Sequence, residues 1–338
     1  MNSQNPKKII IRIHANEKIG MGHFFRCFNL ASVLKQSMPE LNIIFMVNHY
    51  LNNFLQNQQI INSESFDELI DSELIKQQNP SLVILDSYEI SDRYLETIKQ
   101  ATKYLALFDD NNDLHEILPV DILINGNIYA EHLSYEQFTI PYKLLGPKYM
   151  ILKRDYQITP LNFDFKNKEG ILITSGAADP YKMLIFLYQA VRELPIKKTI
   201  IVGPLALEEE RNYFRAIYDN NVSIIESPST LIDYIDQSAL VITAAGSTIY
   251  EVLARRTPLI IFQYAENQKN NAIYLEQYGV MDLGWFSKLD ANKLAEIIIK
   301  SYKNQDYIKK LTPLFDLIDG KGAERIITKI RTLVTQVK

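Results

Sequence analysis

The sequence has only one cysteine, Cys27, among its 338 residues. A disulfide within the chain is therefore excluded, and a lone thiol fits a reducing compartment. The sequence also lacks any apolar run approaching the roughly 20 residues that span a bilayer. Residues 1–8 lead into a strand-like run without the long apolar region of a secretion signal. We expect a soluble cytoplasmic protein with no membrane partner.

An excess of charge of one sign is also missing. Lys and Arg number 36 against 40 Asp and Glu, which gives a formal net charge of -4. Broad nucleic-acid binding needs a positive surface, so no nucleic-acid partner is expected. Any phosphate must be bound locally, by backbone N–H groups and a few side chains.

Hydrophobic residues are plentiful, at 47% of the chain, and 338 residues fit two α/β domains better than one core. Short β-branched apolar runs alternate with helical stretches, which indicates βαβ units and parallel sheets. The predicted strands are 9–13, 42–47, 82–85, 104–108 and 121–124, then 171–174, 199–202, 222–225, 240–243 and 259–262. We predict the α/β class, with two doubly wound, Rossmann-like domains facing a central cleft.

The restart of this pattern predicts an N-terminal domain over 1–155 and a C-terminal domain over 170–338. The polar stretch 156–169 contains Pro160 and is interpreted as a linker. The last helical stretch, about 323–337, could pack back on the first domain. Helices of the second domain are predicted to begin near Pro180, Leu207, Ser247 and Asn267.

A glycine pair follows the first predicted strand and opens a helix, in the run Ile19-Gly20-Met21-Gly22-His23-Phe24-Phe25-Arg26. Gly20 and Gly22 let the backbone approach a ligand closely, and the helix start is suited to a phosphate. The run is not the full dinucleotide fingerprint, and no acidic residue ends the second strand. A nicotinamide dinucleotide is therefore disfavoured, and no cofactor is expected.

His23 stands in the first turn of that helix, where a neutral imidazole can take up a proton near pH 7. The alternative is a histidine that serves the helix end structurally. His14, at the end of the first strand, competes for the catalytic role. Asp86 also ends a strand and is suited to orienting His23 or a substrate hydroxyl.

Acidic residues at strand ends have a second interpretation. Asp109 and Asp110 follow the fourth strand, and a turn role is favoured for both because Asp bonds its own backbone. Ligand spacing for a divalent metal is absent, so no metal site is expected.

In the second domain, small residues end two strands. Gly176 follows the first of them, and the run Ala245-Gly246-Ser247-Thr248 follows another and opens a helix. Its hydroxyls and amides are suited to a phosphate. Glu251, one turn into that helix, can accept hydrogen bonds from ribose hydroxyls, although a structural capping role is the alternative. Asn267 and Gln268 follow the next strand and are further candidates.

At these residues the chain resembles the UDP-sugar hydrolase family of pseudaminic acid biosynthesis, which is similar to the MurG-type glycosyltransferases of GT-B fold. The resemblance covers nearly the whole chain. The matching runs are the glycine–histidine loop 19–26, Leu85-Asp86-Ser87-Tyr88, Phe108-Asp109-Asp110, Asp121-Ile122-Leu123-Ile124-Asn125, Leu145-Gly146-Pro147-Lys148-Tyr149, Ala245-Gly246-Ser247-Thr248 with Glu251, and Glu266-Asn267-Gln268.

The resemblance implies that His23 is the catalytic histidine, that Tyr88 and Asn267 line the sugar, and that residues 246–248 with Glu251 hold the nucleotide. The other candidates that we place on the substrate or the nucleotide are Arg12, His14, Gly20, Gly22, Arg26, Asp86, Gln268, Gly176 and Ala245. Two positions depart from the family pattern: His14 replaces its usual aspartate, and Gly176-Ala177 replaces a glycine pair.

The function expected from the resemblance is hydrolysis of a UDP-linked diacetamido-trideoxy sugar at its anomeric carbon, for surface glycans such as those on flagellin. The expected partner is the UDP-sugar, and a monomer is favoured. Three alternatives stay open: a GT-B glycosyltransferase, a sugar-nucleotide 2-epimerase, and a non-catalytic binding protein.

Overall fold

A computed structural model describes residues 7–16, 21–157 and 167–335 and divides the chain into two compact units. The first unit runs up to Arg154 and includes the chain from Gly320 onward; the second runs from Asp155 to Asp319. The predicted linker 156–169 lies outside the described residues between 158 and 166. Gly20 also lies outside them. None of the helices in the described ranges is both long and apolar enough to cross a membrane.

The first unit is built on a seven-stranded parallel sheet in the order β3-β2-β1-β4-β5-β6-β7. Its elements, in chain order, are β1 (Lys8–Ile13), α1 (Gly22–Ser37), β2 (Asn42–Val47), β3 (Gln59–Asn62), α2 (Glu68–Gln78), β4 (Leu82–Asp86), α3 (Asp92–Ala101), β5 (Tyr104–Phe108), β6 (Ile122–Asn125) and β7 (Tyr142–Leu145). Strand order reverses between β1 and β4, which makes that point the switch of the doubly wound sheet.

The second unit repeats the design with six parallel strands in the order β10-β9-β8-β11-β12-β13. Its elements are β8 (Ile171–Thr174), α4 (Met183–Val191), β9 (Lys198–Val202), α5 (Glu208–Arg215), β10 (Val222–Glu226), α6 (Ile232–Gln237), β11 (Leu240–Ala244), α7 (Thr248–Ala254), β12 (Leu259–Gln263), α8 (Lys269–Gln277), β13 (Met281–Trp285), α9 (Ala291–Ser301) and α10 (Gln305–Leu317). The switch here lies between β8 and β11.

The last helix, α11 (Gly322–Thr335), belongs to the first unit. Its buried residues, among them Ile326 and Ile330, join the cluster that α1 forms on one face of the sheet. Gly322 lets the start of α11 lie against the backbone of Met150, because a Cβ there would lie 2.1 Å from the carbonyl oxygen of Met150. A larger residue at Gly322 would push the helix away from this backbone.

The burial pattern of β1 shows which of its side chains point to each face of the sheet. Ile9, Ile11 and Ile13 enter the cluster with α1, whereas Ile10 enters the cluster on the opposite face. Successive side chains of a strand point to opposite faces, so Arg12 lies on the same side as Ile10.

Candidate active site

In the first unit the site begins at the carboxyl end of β4, next to the switch point. Asp86 is the last residue of β4 and is fully buried. His23 lies in the first turn of α1, and its ring is 5% exposed. Its Nδ1 atom lies 2.5 Å from Oδ1 of Asp86. The structure therefore brings together the histidine and the carboxylate that the sequence identified.

The protonation state of Asp86 follows from the charges around it. Burial alone raises the pKa of Asp86, but the charges of Arg26 and His23 and their hydrogen bonds lower it to about 2. An ionised carboxylate only accepts hydrogen bonds, so we assign the proton of the neutral ring to Nδ1. Nε2 then carries the lone pair, and no described residue hydrogen-bonds it. This is the arrangement of an oriented general base.

Arg26, one turn after His23, binds two carboxylates. Its Nε and Nη2 atoms lie 2.5 Å from the oxygens of Asp86, and Nη1 lies 2.7 and 3.0 Å from those of Asp110. Burial lowers the pKa of Arg26, but the two carboxylates outweigh it and hold that pKa well above its ordinary value. Arg26 was predicted to contact the substrate; here it neutralises the carboxylates that surround His23.

Tyr88 covers the edge of the histidine. The two ring centroids are 4.6 Å apart and nearly perpendicular, and the phenol donates a hydrogen bond of 2.8 Å to Asp110. Burial and the charge of Asp110 raise the pKa of Tyr88. Tyr88 is still 45% exposed, so part of its ring remains available to a ligand.

Asp110 is a member of the site that sequence reasoning missed. Its neighbour Asp109 does form a turn, accepting the backbone N–H groups of Asn111 and Asn112. The turn role predicted for Asp110 is wrong, because its carboxylate binds Arg26 and Tyr88 instead. Its position at the carboxyl end of β5, one strand from Asp86, was the available signal.

Arg12 is separated from this cluster by the sheet itself. Its side chain is fully buried, donates to Asp71 at 2.9 Å and lies over the Phe66 ring at 4.2 Å. It also donates to Ser63 Oγ at 3.3 Å. Strand alternation turns Arg12 to the face away from α1, so its contacts are those of a buried structural ion pair.

His14 and Gly22 lie at the same sheet edge as the His23 pair. The Nδ1 atom of His14 lies 2.7 Å from Oε2 of Glu89, in the turn that follows Asp86. Gly22 begins α1, and a Cβ there would meet no atom within 4 Å. The start of the helix therefore borders open space. Gly20 lies outside the described residues.

In the second unit the candidates gather at the other switch point. Gly176 follows β8 with a φ of 95°, and a Cβ there would lie 3.8 Å from Oγ1 of Thr248. A Cβ on Gly246 would lie 3.8 Å from Nε2 of Gln268. Ser247 is exposed, and its side chain makes no capping bond to α7. Small residues and a hydroxyl thus surround one spot at the ends of β8 and β11.

Two buried hydroxyl oxygens lie at the ends of these same strands. Ser175 Oγ and Thr243 Oγ1 have no hydrogen-bond partner within the described part of the chain. Buried polar atoms are normally paired, by protein or by another molecule. Two hydroxyls therefore lie unpaired, among the described residues, at the carboxyl ends of β8 and β11, next to the loops predicted to hold the phosphate.

Other candidates in this unit shape the loops. Gln268 is buried and accepts the backbone N–H groups of Tyr264 and Ala265, whereas Asn267 is exposed. Ala245 is buried. Glu251 accepts a hydrogen bond of 2.7 Å from Tyr156, so at least one carboxylate oxygen is engaged. Asn267 is the member of this group whose side chain faces solvent.

Comparison with known proteins finds a family match within the second unit. Residues 171–314 match the glycosyltransferase family 28 C-terminal domain. The UDP-2,4-diacetamido-2,4,6-trideoxy-beta-L-altropyranose hydrolase of Campylobacter jejuni is 26% identical over 280 residues, which cover 80% of this chain and 97% of that protein. An uncharacterised protein of Methanocaldococcus jannaschii is 26% identical over 279 residues, or 78% of this chain, but the match spans only 57% of that protein.

The fold agrees with solved structures. MurG of Acinetobacter baumannii superposes with a TM-score of 0.70 at 14% identity, covering 97% of this chain and 100% of MurG. The predicted α/β class, with two doubly wound parallel sheets of the GT-B type, is thereby confirmed. The resemblance found in the sequence is confirmed as a similarity: a relative at 26% identity is named as a UDP-2,4-diacetamido-2,4,6-trideoxy-beta-L-altropyranose hydrolase, the second unit matches a glycosyltransferase family 28 domain, and the fold is similar to that of MurG.

Proposed function

We propose that the protein hydrolyses a UDP-linked diacetamido-trideoxy sugar at its anomeric carbon, releasing UDP and the free sugar. The observation that carries this proposal is the His23–Asp86 pair at the switch point of the first sheet. A buried carboxylate on Nδ1, and an Nε2 atom that no described residue hydrogen-bonds, are what a base needs to activate water. The relative from Campylobacter jejuni, which carries the name of such a hydrolase, supports the choice of reaction.

In the proposed reaction, a water oxygen forms a bond to the anomeric carbon while its proton passes to Nε2 of His23. The bond between that carbon and the β-phosphate oxygen breaks, and its electron pair leaves with UDP. Asp86 stabilises the imidazolium that forms, as the buried carboxylate of a catalytic triad does. Arg26 keeps Asp86 ionised so that it continues to accept from Nδ1.

The second unit supplies the nucleotide contacts in this proposal. The backbone around Gly176 and Gly246 and the hydroxyls of Ser247 and Thr248 would hold the diphosphate as negative charge develops on it. Glu251, whose carboxylate accepts from Tyr156, would bind the ribose as the resemblance implies. Asn267, exposed one strand further along the sheet, would bind the sugar.

A glycosyltransferase is the second candidate, favoured by the match of residues 171–314 to a glycosyltransferase domain. The same His23 would then deprotonate an acceptor hydroxyl instead of water. The two reactions differ in what they require, because a transferase needs an acceptor and a hydrolase does not.

The test is to incubate the purified protein with UDP-2,4-diacetamido-2,4,6-trideoxy sugars in water enriched in ¹⁸O. Hydrolysis at the anomeric carbon releases UDP without an acceptor and places ¹⁸O in the sugar and none in the UDP. Label in the UDP would show cleavage at phosphorus and contradict the proposal. UDP release only after a sugar acceptor is added would establish the transferase, and binding without release would establish a binding protein.

A further inference from the structure

A cluster of aromatic rings lies at the carboxyl edge of the second sheet, beside the candidate nucleotide loops. Tyr181 and Phe286 are stacked, with centroids 4.0 Å apart and planes at 24°. Tyr264 lies 6.1 Å from Tyr181, and Trp285 lies 5.7 Å from Phe286. No role in the fold or the proposed chemistry has yet been given to these four rings, which we call the aromatic platform.

The platform is partly open to solvent. Tyr181 is 50% exposed although its ring is stacked on Phe286, so part of its ring surface remains available to a ligand. Core aromatic residues are instead almost fully buried, as Tyr250 is in the same unit. Packing of the core therefore does not explain why two large rings are stacked at this edge.

The platform is joined to the proposed diphosphate site. The hydroxyl of Tyr264 donates to the backbone carbonyls of Ser175 and Ala178, at 3.3 and 3.5 Å, in the loop that carries Gly176. Lys269 lies over the Trp285 ring at 5.1 Å. A ligand that bound its phosphates at Gly176 would therefore have its next group close to these rings.

Asn267 connects the two regions further. In the sequence it lies between Tyr264, which is part of the platform, and Lys269, which contacts Trp285 of the platform. Its neighbour Gln268 lies next to Gly246. The order along the edge is thus phosphate-binding loops, exposed amide, aromatic rings. In a nucleotide sugar the sugar is bonded directly to the diphosphate, whereas the ribose separates the base from the diphosphate.

We propose that Tyr181, stacked on Phe286, binds the sugar ring of the nucleotide sugar, with the C–H face of the pyranose on the phenol ring and its polar substituents on Asn267. This inference rests on the proposed binding of a UDP-sugar, but it does not depend on hydrolysis. The platform is a specificity element, because it recognises the sugar and contributes nothing to the binding of UDP alone.

The test is calorimetric binding of UDP and of UDP-2,4-diacetamido-2,4,6-trideoxy-β-L-altropyranose in a His23→Ala background, which suppresses turnover. Tyr181→Ala is expected to raise the Kd for the sugar nucleotide about 2- to 12-fold, the effect of losing one ring contact, and to leave the Kd for UDP unchanged. Tyr181→Phe keeps the ring and should retain the affinity. Tyr218→Ala, which removes a ring that is 97% exposed in the same unit, is the matched control.

Three results would overturn the proposal that Tyr181 binds the sugar ring. An unchanged Kd for the sugar nucleotide in Tyr181→Ala would show that the ring does not touch the sugar. An equal loss for UDP would place the base, not the sugar, on the ring. A background protein that binds the sugar nucleotide no better than UDP would show that no sugar contact exists. Isotope labelling of the products judges hydrolysis separately, so the two proposals can fail independently.

Discussion

Arg26 binds Asp86 through two nitrogen atoms, Nε and Nη2, each 2.5 Å from a carboxylate oxygen. Its third nitrogen holds Asp110. One guanidinium thus offsets two buried negative charges, which explains how Asp86 stays ionised beside His23 although burial opposes it. The orientation of the base depends on this ion pair, and several measurable consequences follow.

Asp86→Asn should lower kcat by about 10²–10⁴-fold with a much smaller change in KM. The carboxamide cannot stabilise the imidazolium, and its NH₂ group favours the tautomer with the proton on Nε2. Steady-state kinetics of UDP release measure the effect. Asp113→Asn, on an exposed side chain of the same unit, is the control. A kcat within a few-fold of wild type would show that Asp86 does not orient the base.

Tyr88→Phe should lower kcat by roughly five-fold, which corresponds to the loss of one hydrogen bond of about 1 kcal/mol. The variant keeps the ring against His23 but frees one acceptor site of Asp110. Tyr88→Ala also removes the ring contact with His23 and should lower kcat further. If the two variants had the same activity, the ring would have no part in holding the histidine.

Arg12→Ala should damage stability and leave the chemistry intact. The substitution strands the fully buried Asp71 without its ion-pair partner, which typically costs about 3–5 kcal/mol. Urea unfolding measures the loss, and kcat/KM per folded molecule should stay within about two-fold of wild type. A stable variant with a large loss of kcat/KM would instead support the prediction from the sequence that Arg12 contacts the substrate.

Glu210 in α5 gives a prediction about pH. It is buried beside the carboxylate of Asp179, and neither of its oxygens has a hydrogen-bond partner among the described residues. Asp179 already accepts the backbone N–H groups of Met183 and Leu184. Burial, together with the nearby charge of Asp179, raises the pKa of Glu210 from 4.5 to about 8.

The folded protein therefore holds this proton between pH 4.5 and about 8, where the unfolded chain has lost it. Stability falls as pH rises through that window and then levels off. Glu210→Gln cannot ionise, so between pH 5 and pH 8.5 its Tm should rise relative to that of the wild type by an amount on the order of 10 °C, as calorimetry can measure. Glu209→Gln, on an exposed neighbour, should show no such gain. A Tm difference independent of pH would show that Glu210 is already ionised.

The sequence predicted ten strands, and the structure contains all of them together with three more. The missed strands β3, β7 and β13 are all at sheet edges. An edge strand is covered less completely, so its residues need not form a continuous apolar run; β13, Met-Asp-Leu-Gly-Trp, is half-buried throughout. The central strands, buried on both faces, have such runs and were visible.

The site was predicted in part for a related reason. His23 and Asp86 could be found because a helix start and a strand end each mark the carboxyl edge of the sheet. The contact between Arg26 and Asp110 was missed although Asp110 follows β5, because it depends on the pairing of β4 with β5, which the residues themselves do not reveal. Arg12 was made a candidate because it lies near the end of β1, and only strand alternation reveals which face of the sheet it occupies.

The most direct test of the account is the rate of UDP release by His23→Ala, measured beside its affinity for UDP. We expect the rate to fall by at least about 10²-fold while the Kd for UDP stays within about two-fold, because the proposed nucleotide contacts are all in the second unit. A variant that still hydrolyses the sugar nucleotide at near the wild-type rate would contradict the assignment of His23 as the base.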